Sequence, residues 1–452
     1  MVVAFSLALA ARVALVVGFP TLYGGDAAGR LAHADTLVLG YQLPLPQLFV
    51  VAGKALHDDP ILTRLIFCVW GGVLAAGLTG LLGRFVSSRS SLFGSVLFAC
   101  DPLLIHYSIV PYQEPVAYGF LAWAFYFGAA GRPMTGAGLM GAACLSRYEA
   151  WLFLPAFLWI TRSRLAALVA AAPVAGWISW WRGLAPSGLY VLDLDGQAER
   201  LPRLAFLGRK FIEYETLSLV LVVAAGFLVV LTSRNARVLK GAATIGAVIV
   251  VVVTLGHEYP PGSGLMSERL IHLPVILALS LSAIALARMS QASRPLFHAG
   301  LVAAFFFCGR SLWFETGLLQ AAARDPNLAL ARDAARAIEA ERGPHECVSV
   351  LAPLVEPSLL EAYIKKVDSS FGDVSRAREQ ASSLANESPD RDRIAAQLKA
   401  KTGTVQGQIG CPLLLIVDQA AGGNQHPEGA GATLLALIVA EPRRARLFRI
   451  RS

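Results

Sequence analysis

An acidic residue beside a glycine pair is the first feature of this chain that could carry chemistry. Asp26 follows Gly24 and Gly25 shortly after the first apolar segment, and Arg30 comes four residues later. The glycines permit a tight turn, and the four-residue spacing lets Arg30 hold the carboxylate if a helix begins there. A carboxylate held in this way can accept a proton from a substrate. A helix N-cap is the alternative role for Asp26, because Asp is common at helix starts.

Further acidic and basic residues cluster in three short segments. HYSIVPYQEP ends near Glu114, which could position a substrate, orient an arginine, or cap a helix starting at Pro115. GAACLSRYEAW contains Arg147 and Glu149, two residues apart, and a local pair between them is expected. HEYPPGSGLMSERLIHLP adds one histidine, one further glutamate and one further arginine to the candidate residues, namely His257, Glu258 and Arg269.

The composition places these residues in a membrane protein. Of 452 residues, 55% are hydrophobic and only 15% are charged, which is too apolar for a soluble globular chain of this length. A spanning helix needs about 20 apolar residues, and the sequence predicts about 11 such helices. The predicted segments are 1–19, 61–83, 91–108, 115–130, 134–147, 149–161, 164–181, 215–232, 239–256, 270–287 and 296–313.

The distribution of charge gives the orientation. With a cytoplasmic N-terminus, the inside loops hold ten basic residues and no acidic one, whereas the acidic residues gather in the opposite loops. Lys and Arg are retained on the cytoplasmic side of membrane proteins. The net charge of +8 therefore indicates membrane orientation rather than nucleic-acid binding. It follows that Asp26, Glu114, Glu149 and Glu258 share the extracytoplasmic face.

The composition changes near residue 314, where the long apolar runs stop. The fold class expected is mainly α: a polytopic transmembrane bundle over residues 1–314, with a first extracytoplasmic loop at 20–60. Residues 315–452 are predicted to form a small extracytoplasmic α/β domain, because CVSVLA, PLLLIV, TLLALIVA and ARLFRI resemble strands. Cys347 and Cys411, each just before such a run, could pair there if their backbones approach closely.

The order of these motifs resembles the GT-C superfamily of polytopic membrane glycosyltransferases, in particular the protein mannosyltransferase and aminoarabinose transferase type. The matching segments are GGDAAGR, GYQLPLPQLF, DDPILTRL with Arg64, and the three segments described above. The resemblance spans roughly residues 10 to 280. The family often has Asp-Glu at the first site, whereas Ala27 follows Asp26 here.

The resemblance implies transfer of a sugar from a polyprenyl-phosphate carrier to an acceptor hydroxyl outside the cytoplasm, with inversion. Asp26 is then the expected general base, with Glu114 as a second catalytic carboxylate. The leaving phosphate needs positive charge rather than a proton donor. Substrate or phosphate binding is assigned to the remaining polar residues of these motifs, namely Arg30, Arg147, Glu149, His257, Glu258 and Arg269.

The implied partners are a polyprenyl-phosphate-linked sugar, membrane lipids, and an acceptor that is lipid, polysaccharide or protein, with no nucleic acid. The expected location is the cell membrane. The cofactor is not identified; the sequence allows a divalent metal but does not indicate one. A secondary transporter would place its sites near the bilayer midplane, often between inverted repeats, and no repeat is visible. A non-catalytic scaffold that presents the tail would not need Asp26 and Glu114 on one face.

Overall fold

The computed structural model of this chain is mainly helical. It describes residues 1–20, 25–34, 37, 43–57, 60–184, 272–292, 294–324 and 332–338, together with four strands near the C-terminus. The chain divides into two compact units. The first comprises Met1–Gly18, Leu37–Phe49 and Arg64–Gly317, and the second comprises Phe19–Thr36, Val50–Thr63 and Leu318–Ser452.

Every described segment that was predicted to span the membrane is helical, and two further helices lie in the predicted first loop. They run, in chain order, as α1 (Val2–Gly18), α2 (Gly25–Ala32), α3 (Pro44–Leu56), α4 (Pro60–Phe85), α5 (Ser88–Cys100), α6 (Pro102–His106), α7 (Glu114–Ala129), α8 (Pro133–Cys144), a 3₁₀ turn (Tyr148–Phe153), α9 (Leu154–Thr161), α10 (Arg164–Leu184), α11 (His272–Ala292) and α12 (Arg294–Ala323). The predicted spans at 215–232 and 239–256 lie outside the described residues.

Two of the described helices are long and apolar enough to cross a membrane, by length and composition: α4, and Phe297–Ala323 within α12. Shorter apolar stretches occur at Val2–Gly18, Arg164–Trp180 and Val275–Arg288. The predicted span at 134–147 ends earlier in the structure, at Cys144, and the predicted span at 149–161 begins later, at Leu154. The 3₁₀ turn between α8 and α9 accounts for both differences.

Small residues allow α8 to pack between α7 and α10. A Cβ atom at Gly136 would lie 2.8 Å from the backbone oxygen of Ala124 on α7, and one at Gly141 would lie 3.0 Å from the ring of Pro173 on α10. Helices in membranes associate through such close backbone approaches, since lipid offers no hydrophobic drive between them. This packing fixes the position of the end of α8, which leads into the candidate site described below.

The predicted span at 91–108 is interrupted at Asp101. This residue is fully buried, and its Oδ1 accepts a hydrogen bond from the Leu104 amide at 2.8 Å, so it caps α6. Pro102 then occupies the first turn of α6, where its missing N–H costs nothing. Asp101 thus packs inward, and α5 ends at Cys100, earlier than the predicted span.

Buried arginines from two other helices hold the segment that follows this break. Arg12 of α1 donates from Nη1 to the Ala99 carbonyl at 2.7 Å and from Nε to Ser108 Oγ at 2.5 Å. Arg64 of α4 donates from Nε to the Ile109 carbonyl at 2.8 Å. These bonds supply partners for backbone carbonyls at and after the helix break, which lipid could not provide.

The second unit contains a four-stranded sheet in the order β1-β2-β4-β3. The strands are β1 (Ser349–Leu351), β2 (Leu413–Asp418), β3 (Ala432–Ala440) and β4 (Arg443–Ile450). β1 pairs with β2 in parallel, and the β2–β4 and β3–β4 pairs are antiparallel, with a register shift between Leu434 and Ala436. The sheet lies where the sequence predicts strands, while the domain boundary at 314 and its side of the membrane stay predictions. Cys347 and Cys411 lie outside the described residues.

Candidate functional site

The guanidinium of Arg147 lies between two carboxyl groups. It donates from Nη1 to Glu114 Oε1, from Nη2 to Glu149 Oε1, and from Nε to Glu149 Oε2, the last at 3.0 Å. The side chains of Arg147 and Glu114 are 6% and 1% exposed, whereas that of Glu149 is 20% exposed. We call Glu114, Arg147 and Glu149 the triad, of which Glu149 is the most accessible member.

Three local structures place the triad. Glu114 is the first residue of α7, where a carboxylate is favoured by the positive end of the helix dipole. Arg147 follows the end of α8 with an extended backbone, at φ −150° and ψ 144°. Glu149 belongs to the 3₁₀ turn that begins at Tyr148. The packing of α7 against α8 thus brings together groups that are 33 residues apart.

The triad is held mainly by charge. Burial opposes the charge of the guanidinium, but Glu149 and Glu114 outweigh it and raise the pKa of Arg147 above its usual value. Burial likewise disfavours ionised Glu149, yet the Arg147 charge and hydrogen bonds prevail and lower the pKa of that carboxyl. Glu149 therefore stays ionised at neutral pH, in the loop between α8 and α9.

Aromatic and histidine side chains lie together where the first turns of α7 and α11 meet. Tyr118, one helical turn after Glu114, stacks with His272 at a ring separation of 5.8 Å. Tyr107 also contacts the His272 ring, at 4.6 Å, and contacts Tyr112 at 4.8 Å. His272 is the first residue of α11 and is buried. The start of α11 is therefore packed against the helix that carries Glu114.

A second buried carboxyl lies next to these rings. Glu315 of α12 is fully buried, and its Oε2 lies 3.4 Å from Nδ1 of His106 at the end of α6. His106 in turn contacts Tyr107, with ring centroids 5.2 Å apart. The Oε1 atom of Glu315 has no hydrogen-bond partner among the described residues. This pair links α12 to the segment after the α5–α6 break.

Of the residues predicted from the sequence, Glu114, Arg147 and Glu149 come together. Asp26 and Arg30 both belong to α2, so the four-residue spacing does fall on a helix, and Arg30 is buried. Asp26 lies in the first turn of this helix, one residue after its start at Gly25. His257, Glu258 and Arg269 lie outside the described residues.

The sequence interpretation missed two buried residues. His272 stands in the segment SERLIHLP, three residues after Arg269, but was not singled out. Glu315 follows the predicted boundary at 314 and was not singled out; it belongs to α12, which continues to Ala323, and it is buried. An acidic residue inside a membrane-length apolar helix is itself a signal of function, and Glu315 could have been found in that way.

The described residues contain no group of three or more His, Cys, Asp or Glu side chains arranged to hold a metal ion. The triad offers two carboxyl groups, but the Arg147 guanidinium lies between them. A cation there would meet the positive charge of Arg147 at close range. The triad therefore does not fit a metal-binding role.

Comparison with known proteins gives matches of fold. No protein-family model matches the sequence, and no curated protein matches it. The crystal structure of ArnT from Cupriavidus metallidurans in the apo state matches with a TM-score of 0.59 at 14% identity, over 99% of this chain and 97% of that one. ArnT from Cupriavidus metallidurans bound to undecaprenyl phosphate matches with a TM-score of 0.64 at 13% identity, over 100% and 98%. The chain therefore shares the fold of these two ArnT structures along nearly its whole length.

Proposed function

We propose that this chain is an integral-membrane glycosyltransferase that moves a sugar from a polyprenyl-phosphate carrier to an acceptor hydroxyl on the extracytoplasmic side. The observation that carries the proposal is the likeness of fold, over essentially the full chain, to an ArnT structure bound to undecaprenyl phosphate. Fold alone does not assign a reaction, so the proposal also depends on the site. Among the described site residues, Glu114 begins α7, and Arg147 and Glu149 lie between α8 and α9, where Arg147 contacts both carboxylates.

The reaction we propose is a single displacement at the anomeric carbon. Asp26 accepts the proton of the acceptor hydroxyl as the new bond between the acceptor oxygen and the anomeric carbon forms. The bond between that carbon and the phosphate oxygen breaks, and its electron pair stays on the lipid phosphate. Attack from the face opposite the leaving group inverts the anomeric configuration.

The leaving phosphate needs nearby positive charge, and arginine suits it because the planar guanidinium binds two oxygens at once. Arg30 and Arg269, with His257, are the candidates for this role, and Glu258 is a candidate for orienting them. Arg147 was a further candidate, but its donors already meet Glu114 and Glu149. We therefore assign Arg147 to holding those carboxylates rather than to the phosphate.

The test is transfer activity in a defined membrane. The purified protein is reconstituted in liposomes with a polyprenyl-phosphate hexose carrying a labelled sugar and with an extract of cell-envelope lipid, polysaccharide and protein as acceptors, and release of the label from the carrier to the acceptors is measured. Asp26→Asn should lower the rate by at least about a hundredfold, as expected for loss of a general base. Asp35→Asn in the same loop is the matched control and should retain activity. Full activity of Asp26→Asn with loss in Asp35→Asn would move the base to Asp35.

A further inference from the structure

The triad presents one carboxylate to a ligand, and that carboxylate is Glu149. Its side chain is 20% exposed, against 1% for Glu114 and 6% for Arg147. An ionised carboxylate has about four lone-pair sites, and the guanidinium of Arg147 occupies one on each oxygen of Glu149. Acceptor capacity therefore remains on the exposed side of this group.

The residues around Glu149 fit the chemistry of a sugar. Tyr148 and Trp151 flank it on the same 3₁₀ turn, both are half-buried, and their rings meet edge to face at 5.0 Å. The indole of Trp151 is fixed by a hydrogen bond from Nε1 to the Cys144 carbonyl at 2.8 Å. A sugar ring offers hydroxyl donors at its edge and a C–H face that packs on aromatic rings. A fixed carboxylate beside aromatic rings complements both features.

We propose that Glu149 binds hydroxyl groups of the transferred sugar, with Arg147 as the residue that positions it. This inference rests on the proposed function, since it names a contact to the sugar of the carrier-linked donor. Glu114 then has a different task from the one expected from the sequence. It is the buried counter-charge that holds Arg147 in place, rather than a catalytic residue that touches substrate.

Two probes separate the sugar from its carrier. Binding of a polyprenyl-phosphate hexose and of the bare polyprenyl phosphate is measured on wild-type protein and on Glu149→Gln in the same nanodiscs. Removing a hydrogen bond to a charged group should raise the Kd of the sugar-linked probe by about tenfold or more and leave the Kd of the bare carrier unchanged. Equal weakening of both probes, or of neither, would overturn the assignment of Glu149.

The proposed function fails separately, because wild-type protein would then bind neither probe. If Glu149→Gln yields no folded protein, wild-type protein is titrated with carrier-linked hexoses that each lack one hydroxyl. A selective loss of affinity for one or two of these deoxy probes is the expected result. Uniform affinity across the series would show that no sugar hydroxyl is bound at this site and would overturn the inference.

Discussion

The Nη1 atom of Arg147 donates to the carboxylate of Glu114, 33 residues earlier on α7, and both side chains are buried. Removing Arg147 would leave the Glu114 carboxylate uncompensated in a low-dielectric site, whereas removing Glu114 leaves Arg147 paired with Glu149. Loss of Arg147 would therefore cost more free energy than the intact pair contributes to stability. It also fixes the end of α8 relative to the start of α7.

The first prediction concerns this pair. Glu114→Gln keeps the shape of the side chain and removes its charge, while Arg147 keeps Glu149 as a partner. We therefore expect the free energy of unfolding to fall by about 1.5–3 kcal/mol, the contribution of a hydrogen bond to a charged group. Thermal unfolding in detergent measures the change. The control is Asp333→Asn, which breaks the more exposed pair with Arg332 and should cost under about 1 kcal/mol. Equal shifts in the two variants would contradict a buried ion pair at Glu114.

The second prediction is acid sensitivity that originates at Glu149. Arg147 lowers the pKa of this carboxyl in the folded protein, so its contribution to stability is complete above the usual Glu pKa of about 4.3. As the pH falls through the lowered folded-state pKa, Glu149 takes up a proton and that contribution is lost. Unfolding midpoints measured from pH 7 to pH 3 should therefore decline more steeply in the wild type than in Glu149→Gln. Parallel declines in the two proteins would exclude Glu149 as a source of the acid sensitivity.

The third prediction concerns the α5–α6 break. Arg12→Met removes the bonds to the Ala99 carbonyl and Ser108 Oγ, and we expect the free energy of unfolding to fall by about 2–4 kcal/mol. Arg84→Met is the matched control, because Arg84 also donates to a helix carbonyl, that of Ala129 at 3.0 Å, but is exposed. Its substitution should cost under about 1 kcal/mol. The measurement is denaturant unfolding of both variants in the same detergent.

Apolar patterning was sufficient to predict most of the described helices. The helices α1, α4 and α10 consist of long apolar runs, and in lipid hardly any structure other than a helix could satisfy the backbone polar groups of such runs. The break at Asp101 was foreseeable because an acid before a proline interrupts such a run. The helix α3 was not foreseen, since it is short and lies in what reads as a loop.

The contacts of the candidate site were likewise predictable only in part. The pairing of Arg147 with Glu149 was expected because the residues are neighbours in the chain. The pairing with Glu114 depends on how α7 packs on α8, and the sequence alone left Glu114 with several roles. Glu315 was not predicted as a site residue, because it follows the point near residue 314 where the charge rises; the helix that carries it runs on to Ala323.

The fourth prediction tests that packing directly. Gly136→Ala places a Cβ atom 2.8 Å from the backbone oxygen of Ala124, a contact that neither helix can relieve without moving. We expect it to lower the free energy of unfolding by about 1–3 kcal/mol. Gly138→Ala, on the same helix, meets nothing within 4 Å and should be neutral or stabilising by up to about 1 kcal/mol. Because α8 leads to Arg147, Gly136→Ala should also slow sugar release, while Gly138→Ala should not. Identical stability and activity in the two variants would mean that α8 does not pack on α7 as closely as described.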